Sequence, residues 1–386
     1  MSRAPRVAMV GLRAPWGTEG GVEQSVAALA PRLVARGCEV TVYCRARYNP
    51  LGPGVHQGVR LVDLDTLYTR HLEAIVHTAV ALPPALREHD LIHLHATGPA
   101  LLSWIPRLAG RKSVVTVHGL DWQRDKWGWI ASQTLRAGAW ASAHFPDRVI
   151  VVGRHLQDHY RETYGVEAEF IPNGVEPIGA PPLSAGEVEG LESGRYLLFV
   201  GRLVPEKGLE RLVAAWRGAG VSLPLVVVGG WTYSAEYVAR LRAAAPAGVI
   251  FTGPRYGLAR DALLAHAAAF VYPSRVEGMP LAPLEAMAAG LPVFLSDIAP
   301  HREILLGEPG APTDHVARAG PGWRVPEHAW EEALRRACAL DAAARTEAGL
   351  AGRARVQAAF GWDEVARRTL AVYEQVLGLP IGPDRG

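Results

Sequence analysis

Short runs of β-branched and aliphatic residues alternate along most of the chain with stretches whose apolar positions recur at helical spacing. RVAMVGL, CEVTVYC, GVRLVDL, DLIHLHA, SVVTVHG, DRVIVVG and EFIPNG read as strands of the first half. Runs this continuous suit strands covered on both faces, and their alternation with helical patterns predicts parallel sheets built from βαβ units. PIGAPPLSAGEVEGLESG, residues 177–194, breaks the pattern with Pro, Gly and Ser and predicts a linker. The alternation restarts with YLLFVG, LPLVVVG, GVIFTG, AAFVYPS and PVFLSD. Beyond about residue 327 only helical periodicity remains. The last helix sets Trp362, Val365, Leu370, Val372, Tyr373 and Val376 on a broad apolar face that needs a partner. One local conflict stands out: VEQSVAALAPRLVARG reads as the first helix, yet Pro31 falls inside it. An interior proline costs ~3 kcal/mol, which predicts a bend between Ala27 and Pro31.

At 386 residues the chain is too long for one ordinary core. The pattern divides it into domains over 1–176 and 177–361, with a final helix over 362–380. A net charge of +2 with dispersed basic residues leaves no nucleic-acid footprint. Cys38, Cys44 and Cys338 show neither metal spacing nor a disulfide framework, which fits a reduced, cytoplasmic setting. The N-terminus moves directly into a strand-like run, so no signal peptide is expected, and no apolar run is long enough to span a membrane. Attachment to the inner face of a membrane is left open.

Open parallel sheets bind ligands beyond the carboxyl ends of their strands. In the first such loop, GLRAPWGTEGGVEQ, Gly20 and Gly21 lead into a helix whose free N–H groups suit a phosphate or sugar oxygen; a plain glycine turn reads equally well. The spacing is not G-x-G-x-x-G, and the second strand ends VTVYCRAR without an acid for a ribose diol, which argues against a dehydrogenase. The second half is more specific. YLLFVGRLVPEKGLERL places Arg202 and Lys207 in a strand-to-helix loop, in a chain whose only lysines are Lys112, Lys126 and Lys207. A guanidinium forks across phosphate oxygens while an ammonium acts as a point charge. In RVEGMPLAPLEAMAAGLPV, Glu277 precedes a helix that Gly290 and Pro292 close, and Glu285 lies about one turn inside it. The N–H groups of Gly278, Met279 and Leu281 surround that helix start, and Pro280 stiffens the loop. Glu285 suits a ribose diol and Glu277 a sugar hydroxyl. His93 and His95 alternate on one strand face without a third ligand and read as core or cleft wall.

These segments, together with VTVHGLD, IPNGV and FTGP, resemble the retaining family 4 type of GT-B-fold glycosyltransferase, in the family's order along nearly the whole chain. The resemblance implies two Rossmann-like domains facing a central cleft, with the final helix crossing back to the first. It implies a nucleotide-diphosphate sugar as donor, with no metal or other cofactor. Arg202 and Lys207 would bind the diphosphate, and Glu285 the ribose. Glu277 with Gly278, Met279, Pro280 and Leu281 would hold the sugar, and the backbone of Arg255 would sit beside the base. Gly20 and Gly21 would close on the donor, and His118 would lie near the transferred sugar. The acceptor would be a saccharide, a lipid-linked saccharide or a small molecule. A GT-B-fold epimerase and an inactive nucleotide-sugar-binding module are the alternatives.

HGLDWQRDKWGWIASQTLRAGAWASAHF carries Trp122, Trp127, Trp129 and Trp140. Tryptophans on a helix are expected in the core, with sugar stacking assigned only to Trp122 or Trp127. WIPRLAGRKS, with Arg107, Arg111 and Lys112, reads as a solvated helix end, with anionic lipid as the alternative.

Overall fold

The computed structural model describes residues 3–17, 20–69, 72–123, 128–230 and 235–382. The chain divides into two compact units: Met1–Gly174 with Trp362–Gly386, and Val175–Gly361. The division falls at 174/175, beside the start of the Pro- and Gly-rich segment, which runs within the second unit.

Among the described residues the first unit holds eight strands: β1 (Arg6–Val10), β2 (Glu39–Arg45), β3 (Gly54–His56), β4 (Val59–Leu64), β5 (Leu91–His95), β6 (Lys112–Val117), β7 (Arg148–Val151) and β8 (Glu169–Phe170). They form one sheet in the order β3-β4-β2-β1-β5-β6-β7-β8, parallel except for the β3–β4 hairpin. The second unit holds β9 (Leu197–Val200), β10 (Leu225–Val228), β11 (Val249–Gly253), β12 (Ala269–Tyr272), β13 (Val293–Ser296), β14 (Ala317–Ala319) and β15 (Gly322–Val325), in the order β11-β10-β9-β12-β13-β15-β14. Both sheets step outward from a first strand, then reverse, which is the Rossmann order. The reversal lies at β1/β5 in one unit and at β9/β12 in the other.

The central strands are buried on both faces; Val7, Ala8, Met9 and Val10 of β1 have no exposed surface. That burial explains why their sequences are continuous apolar runs rather than alternating ones. The helix Gly21–Val34 is continuous through Pro31, and Arg32 Nη1 reaches back to the Ala28 carbonyl at 2.8 Å. The final helix, Trp362–Leu377, belongs to the first unit and packs on Gly21–Val34 through the apolar face read from its sequence. β14 and β15 escaped the pattern reading because they are short and arginine-bearing. Arg318 covers the Trp323 ring with its guanidinium 4.7 Å from the centroid.

Candidate functional site

In the second unit the loops after β9 and β12 are tied to each other. Arg275 N–H and Ser274 Oγ both donate to the Glu206 carbonyl, at 2.8 and 3.1 Å. Gly208 sits at φ +66, and a Cβ there would come within 2.3 Å of the Pro273 carbonyl oxygen. Only glycine permits that backbone approach. It delivers Lys207, at the end of a short 3₁₀ turn, to the strand end of β12. Lys207 Nζ donates to Tyr272 Oη at 2.7 Å and pairs with Glu277 Oε1, while Tyr272 Oη donates to the same Glu277 oxygen at 2.9 Å.

Burial alone would push the Glu277 carboxyl up. Lys207, with smaller help from His301 and Ser274, overcomes it and holds the acid down at about 2. The Tyr272 hydroxyl is pushed far up by burial and by Glu277; Arg202 pulls the other way and Glu285 adds to the rise. Arg202, Lys207, Glu277 and Glu285 therefore act on one buried phenol. Unlike Lys207, the Arg202 side chain has no ion-pair or hydrogen-bond partner among the described residues.

Glu285 lies in the helix Leu281–Ala288, which Pro280 precedes with extended backbone and Gly290 follows at φ +82. Its carboxylate accepts from Arg260 Nη1 at 2.8 Å, and Arg260 also binds Asp261 at 2.9 Å. Burial raises the Glu285 pKa, and Arg260 offsets that rise. Met279 is buried in the loop between the two acids. Arg255 stands in the loop after β11, its guanidinium 3.7 Å from Glu187.

In the first unit, Gly20 precedes the helix Gly21–Val34, with Glu23 folded against it. A Cβ on Gly20 would meet Glu23 Oε2 at 1.9 Å, and Arg13 N–H donates to Glu23 Oε1 at 3.3 Å. His118 follows β6. His95 Nδ1 lies 3.3 Å from His118 Nε2, and the His93 and His95 rings are 4.2 Å apart. His93 bonds Tyr373 Oη at 2.6 Å and Thr116 Oγ1 at 2.7 Å, so the strand histidines are core residues, as read from sequence. Burial drives both toward the neutral form, His93 to about 3 and His95 well below its ordinary range. Between β5 and the next turn, Ala96 adopts φ +72, a conformation costing of order 1–3 kcal/mol that clusters at functional sites.

Trp122 packs against His159, ring centroids 5.9 Å apart, and lies under Arg136 at 5.9 Å. Trp127 lies outside the described residues. The expectation that the helical tryptophans are core fails: Trp129 is 77% exposed and Trp140 49%. They share the outward stripe of the helix Trp129–His144, whose inner stripe carries Leu135, Gly138 and Ala139. Helical periodicity is blind to which of two apolar stripes faces inward when the buried one is built from small residues.

Sequence reasoning missed Tyr272, Arg260 and His301. Tyr272 looked like an ordinary strand aromatic, and nothing in the spacing joins Arg260 to an acid 25 positions away. His301, whose Nδ1 lies 2.8 Å from the Ser296 carbonyl, carried no signal beyond being a lone histidine.

Comparison with known proteins gives this geometry a context. Residues 19–177 match the model of Glycosyltransferase Family 4, and residues 187–309 that of Glycosyl transferases group 1. A GDP-mannose-dependent alpha-mannosyltransferase of Mycolicibacterium smegmatis is 30% identical over 379 residues, covering 93% of this chain and 94% of that protein. Among solved structures, sucrose-phosphate synthase from Thermosynechococcus elongatus superposes with a TM-score of 0.80 at 24% identity, covering 97% of this chain and all of that one. Anabaena Alr3699/HepE in complex with UDP-glucose gives a TM-score of 0.77 at 17% identity, over 96% and 100% of the two chains. The structures speak for the fold, and the relative carries the likeness into sequence along nearly its whole length. With a family model on each half besides, the chain belongs to the family 4 glycosyltransferases of the GT-B fold, which draw their sugar from a nucleotide-sugar donor.

Proposed function

We propose that this glycosyltransferase moves a hexose or deoxyhexose, with retention of anomeric configuration, from a nucleotide-diphosphate sugar to a saccharide, lipid-linked or small-molecule acceptor. In this reading side-chain cations, rather than a metal, meet the diphosphate. The observation that carries it is the grouping of Arg202, Lys207, Glu277 and Glu285 around Tyr272 at the carboxyl end of β12.

As the bond from the sugar carbon to the diphosphate oxygen breaks, negative charge develops on the departing phosphate. Arg202, whose side chain has no partner among the described residues, and Lys207 neutralise that charge, and preset charges of this kind lower a barrier without reorganising. The acceptor oxygen attacks the face from which the diphosphate leaves, and its proton passes to the departing phosphate oxygen. Glu277, ionised at any working pH because Lys207 depresses it, only accepts hydrogen bonds, which suits sugar hydroxyls. Glu285, steadied by Arg260, accepts from the ribose diol. His118 in the first unit, backed by His95, acts near the transferred sugar. Gly20, Gly21 and the backbone of Gly278, Met279 and Leu281 line the donor, Pro280 stiffens that loop, and Arg255 lies beside the base. The relative's use of GDP-mannose and the UDP-glucose held by the Anabaena protein support the donor class, and the relative's α-mannosyl product supports retention.

The test is a panel including GDP-mannose and UDP-glucose, with freed nucleotide measured in the presence and absence of lipid and saccharide acceptors. Release that rises with an acceptor, an unchanged anomeric configuration in the product and indifference to chelator are expected. An inverted linkage removes retention, activity lost to chelator removes the cation reading, and silence with every donor leaves a binding module.

A further inference from the structure

The first unit carries a surface that the transfer reaction does not explain. Along the helix Trp129–His144, the outward stripe presents Trp129, Ile130, Arg136 and Trp140. Trp129 and Trp140 are eleven residues apart, a rise of about 16 Å on one face. The short helix Trp104–Leu108 lies along the far half of the same helix. Ser103 Oγ donates to the Ala141 carbonyl at 3.1 Å, and Arg107 Nη1 to the His144 carbonyl at 3.2 Å. Its Leu108 is 78% exposed and Ile130 is 75% exposed. Large apolar side chains exposed at this level on two neighbouring helices mark an interaction surface rather than ordinary scatter.

The charges of the surface say what covers it. Between Ala96 and Leu120, and again between Gly128 and Pro146, the sequence contains no carboxylate; Arg107, Arg111, Lys112 and Arg136 are its formal charges. Arg111 has no ion-pair partner among the described residues. Of the acids that border these stretches in sequence, Asp121 accepts from Thr97 Oγ1 at 3.2 Å and Asp147 is held by Lys112 at 2.8 Å, while Asp125 lies outside the described residues. Indole and aliphatic tips beside arginines that have no ion-pair partner among the described residues, on two stretches of sequence without a carboxylate, match an anionic bilayer surface. Tryptophan settles there at headgroup depth, and guanidinium groups meet phosphate. No helix among the described residues is long and apolar enough to cross a membrane, so such contact is peripheral.

We propose that the face formed by the helices Trp104–Leu108 and Trp129–His144 docks the protein on an anionic lipid bilayer, with Trp129, Ile130, Trp140 and Leu108 inserted and Arg107, Arg111 and Arg136 on the headgroups. The inference stands apart from the choice of donor and acceptor, because docking is read without either.

The experiment is co-sedimentation of the full chain with vesicles of phosphatidylcholine alone and of phosphatidylcholine mixed with phosphatidylglycerol. Tryptophan emission is followed alongside. Binding to the mixed vesicles, a blue shift on binding and release by salt are expected. The Trp129→Ser/Ile130→Ser variant should bind about tenfold more weakly or worse, as should Arg107→Glu/Arg111→Glu. Because all four residues are exposed, both variants should melt as the parent does; the charge-reversal pair keeps the test alive should the first fold poorly. Acceptor-free hydrolysis of the donor should be unchanged in both, which separates loss of docking from loss of the active site. Equal sedimentation with the two vesicle types, or variants that bind like the parent, would overturn the proposal. So would a lipid-free dimer that Trp129→Ser/Ile130→Ser dissolves, which assigns the face to a second copy of the chain.

Discussion

At the strand ends of the second unit, charges are packed in opposed pairs, Lys207 with Glu277 and Arg260 with Glu285. At the equivalent ends of β5 and β6 in the first unit, the polar groups are mostly imidazoles and hydroxyls, His93, His95, His118, Thr97 and Thr116, with one carboxylate, Asp121, which accepts from Thr97 Oγ1 at 3.2 Å. Both sheets have the same order about their reversal point, so the scaffold decides where a site lies and the loop residues decide its charge. Preset charges suit the diphosphate of a donor. Neutral donors and acceptors suit hydroxyl groups, which need orientation without salt-bridge strength. The two kinds of interior also respond to acid in opposite ways, which offers the sharpest means of breaking the comparison.

His77 and His93 are fully buried and bind protons in the folded protein only near 4 and 3, against 6.5 when exposed. The unfolded chain therefore gains protons first, and the folded first unit loses stability as pH falls from about 6.5 toward 4. By pH 5 the loss is of order 2 kcal/mol for each. Glu277 titrates near 2 instead of 4.5. Its contribution is complete above about pH 4.5 and is lost only on the way down to 2. Glu285, raised by burial, is relieved by acid. His301, lowered to about 4, is the second unit's own acid-sensitive share. Between pH 6.5 and 4.5, hydrogen exchange should show the amides of β1 and β5 losing protection before those of β9 and β12. The reverse order would mean that the imidazoles are not what distinguishes the units.

Next in size is Lys207→Ala. If the ammonium stabilises the departing diphosphate, turnover should fall by ~100-fold or more, about 2.7 kcal/mol of barrier. The substitution also strands Glu277, so the variant should show the Glu277 carboxyl titrating upward. Single-turnover transfer rates measure the first effect. A rate equal to the parent's removes Lys207 from catalysis and leaves it a structural partner of the acid.

How far these contrasts could be seen in the sequence differs between the units. The strands were legible because burial on both faces demands unbroken apolar runs, and Lys207, Glu277 and Glu285 were legible because they lie at a strand exit and a helix start with clear stop signals. Pairing was not. Lys207 and Glu277 are 70 positions apart and meet only because Gly208 lets two loop backbones touch. Arg260 opens a separate helix, so its hold on Glu285 is a fact of packing alone. In the first unit the small residues Gly138 and Ala139 bury the helix Trp129–His144 and leave its tryptophans outside, the inverse of what hydrophobicity suggests. Gly138 is required there, since a Cβ would come 2.0 Å from the Thr97 carbonyl oxygen.

Arg260→Ala tests whether charge pairing in the second unit serves binding or only folding. Without the guanidinium, burial should carry Glu285 further toward its protonated form, which presents one fewer acceptor to a ribose diol. UDP or GDP, whichever the donor panel selects, should bind about tenfold more weakly by calorimetry, and the deficit should widen as pH falls. Unchanged affinity across pH would reduce Arg260 to a structural partner of Asp261 and Glu285.

The smallest effect belongs to the neutral network of the first unit. Tyr373, on the final helix, is fully buried and bonds His93 Nδ1 at 2.6 Å, 280 positions earlier in the chain. Tyr373→Phe keeps the ring and its packing and removes only the hydroxyl, leaving His93 with Thr116 as its remaining partner. A neutral hydrogen bond of this kind is worth about 1 kcal/mol, so the first unit should melt roughly 3 °C lower. The same substitution at Tyr272 removes a hydroxyl that both receives from Lys207 and donates to Glu277, and charge-assisted bonds are about twice as strong. If hydroxyl removal costs the first unit as much as the second, neutral and charged interiors are energetically equivalent here, and the contrast between the units is one of chemistry alone.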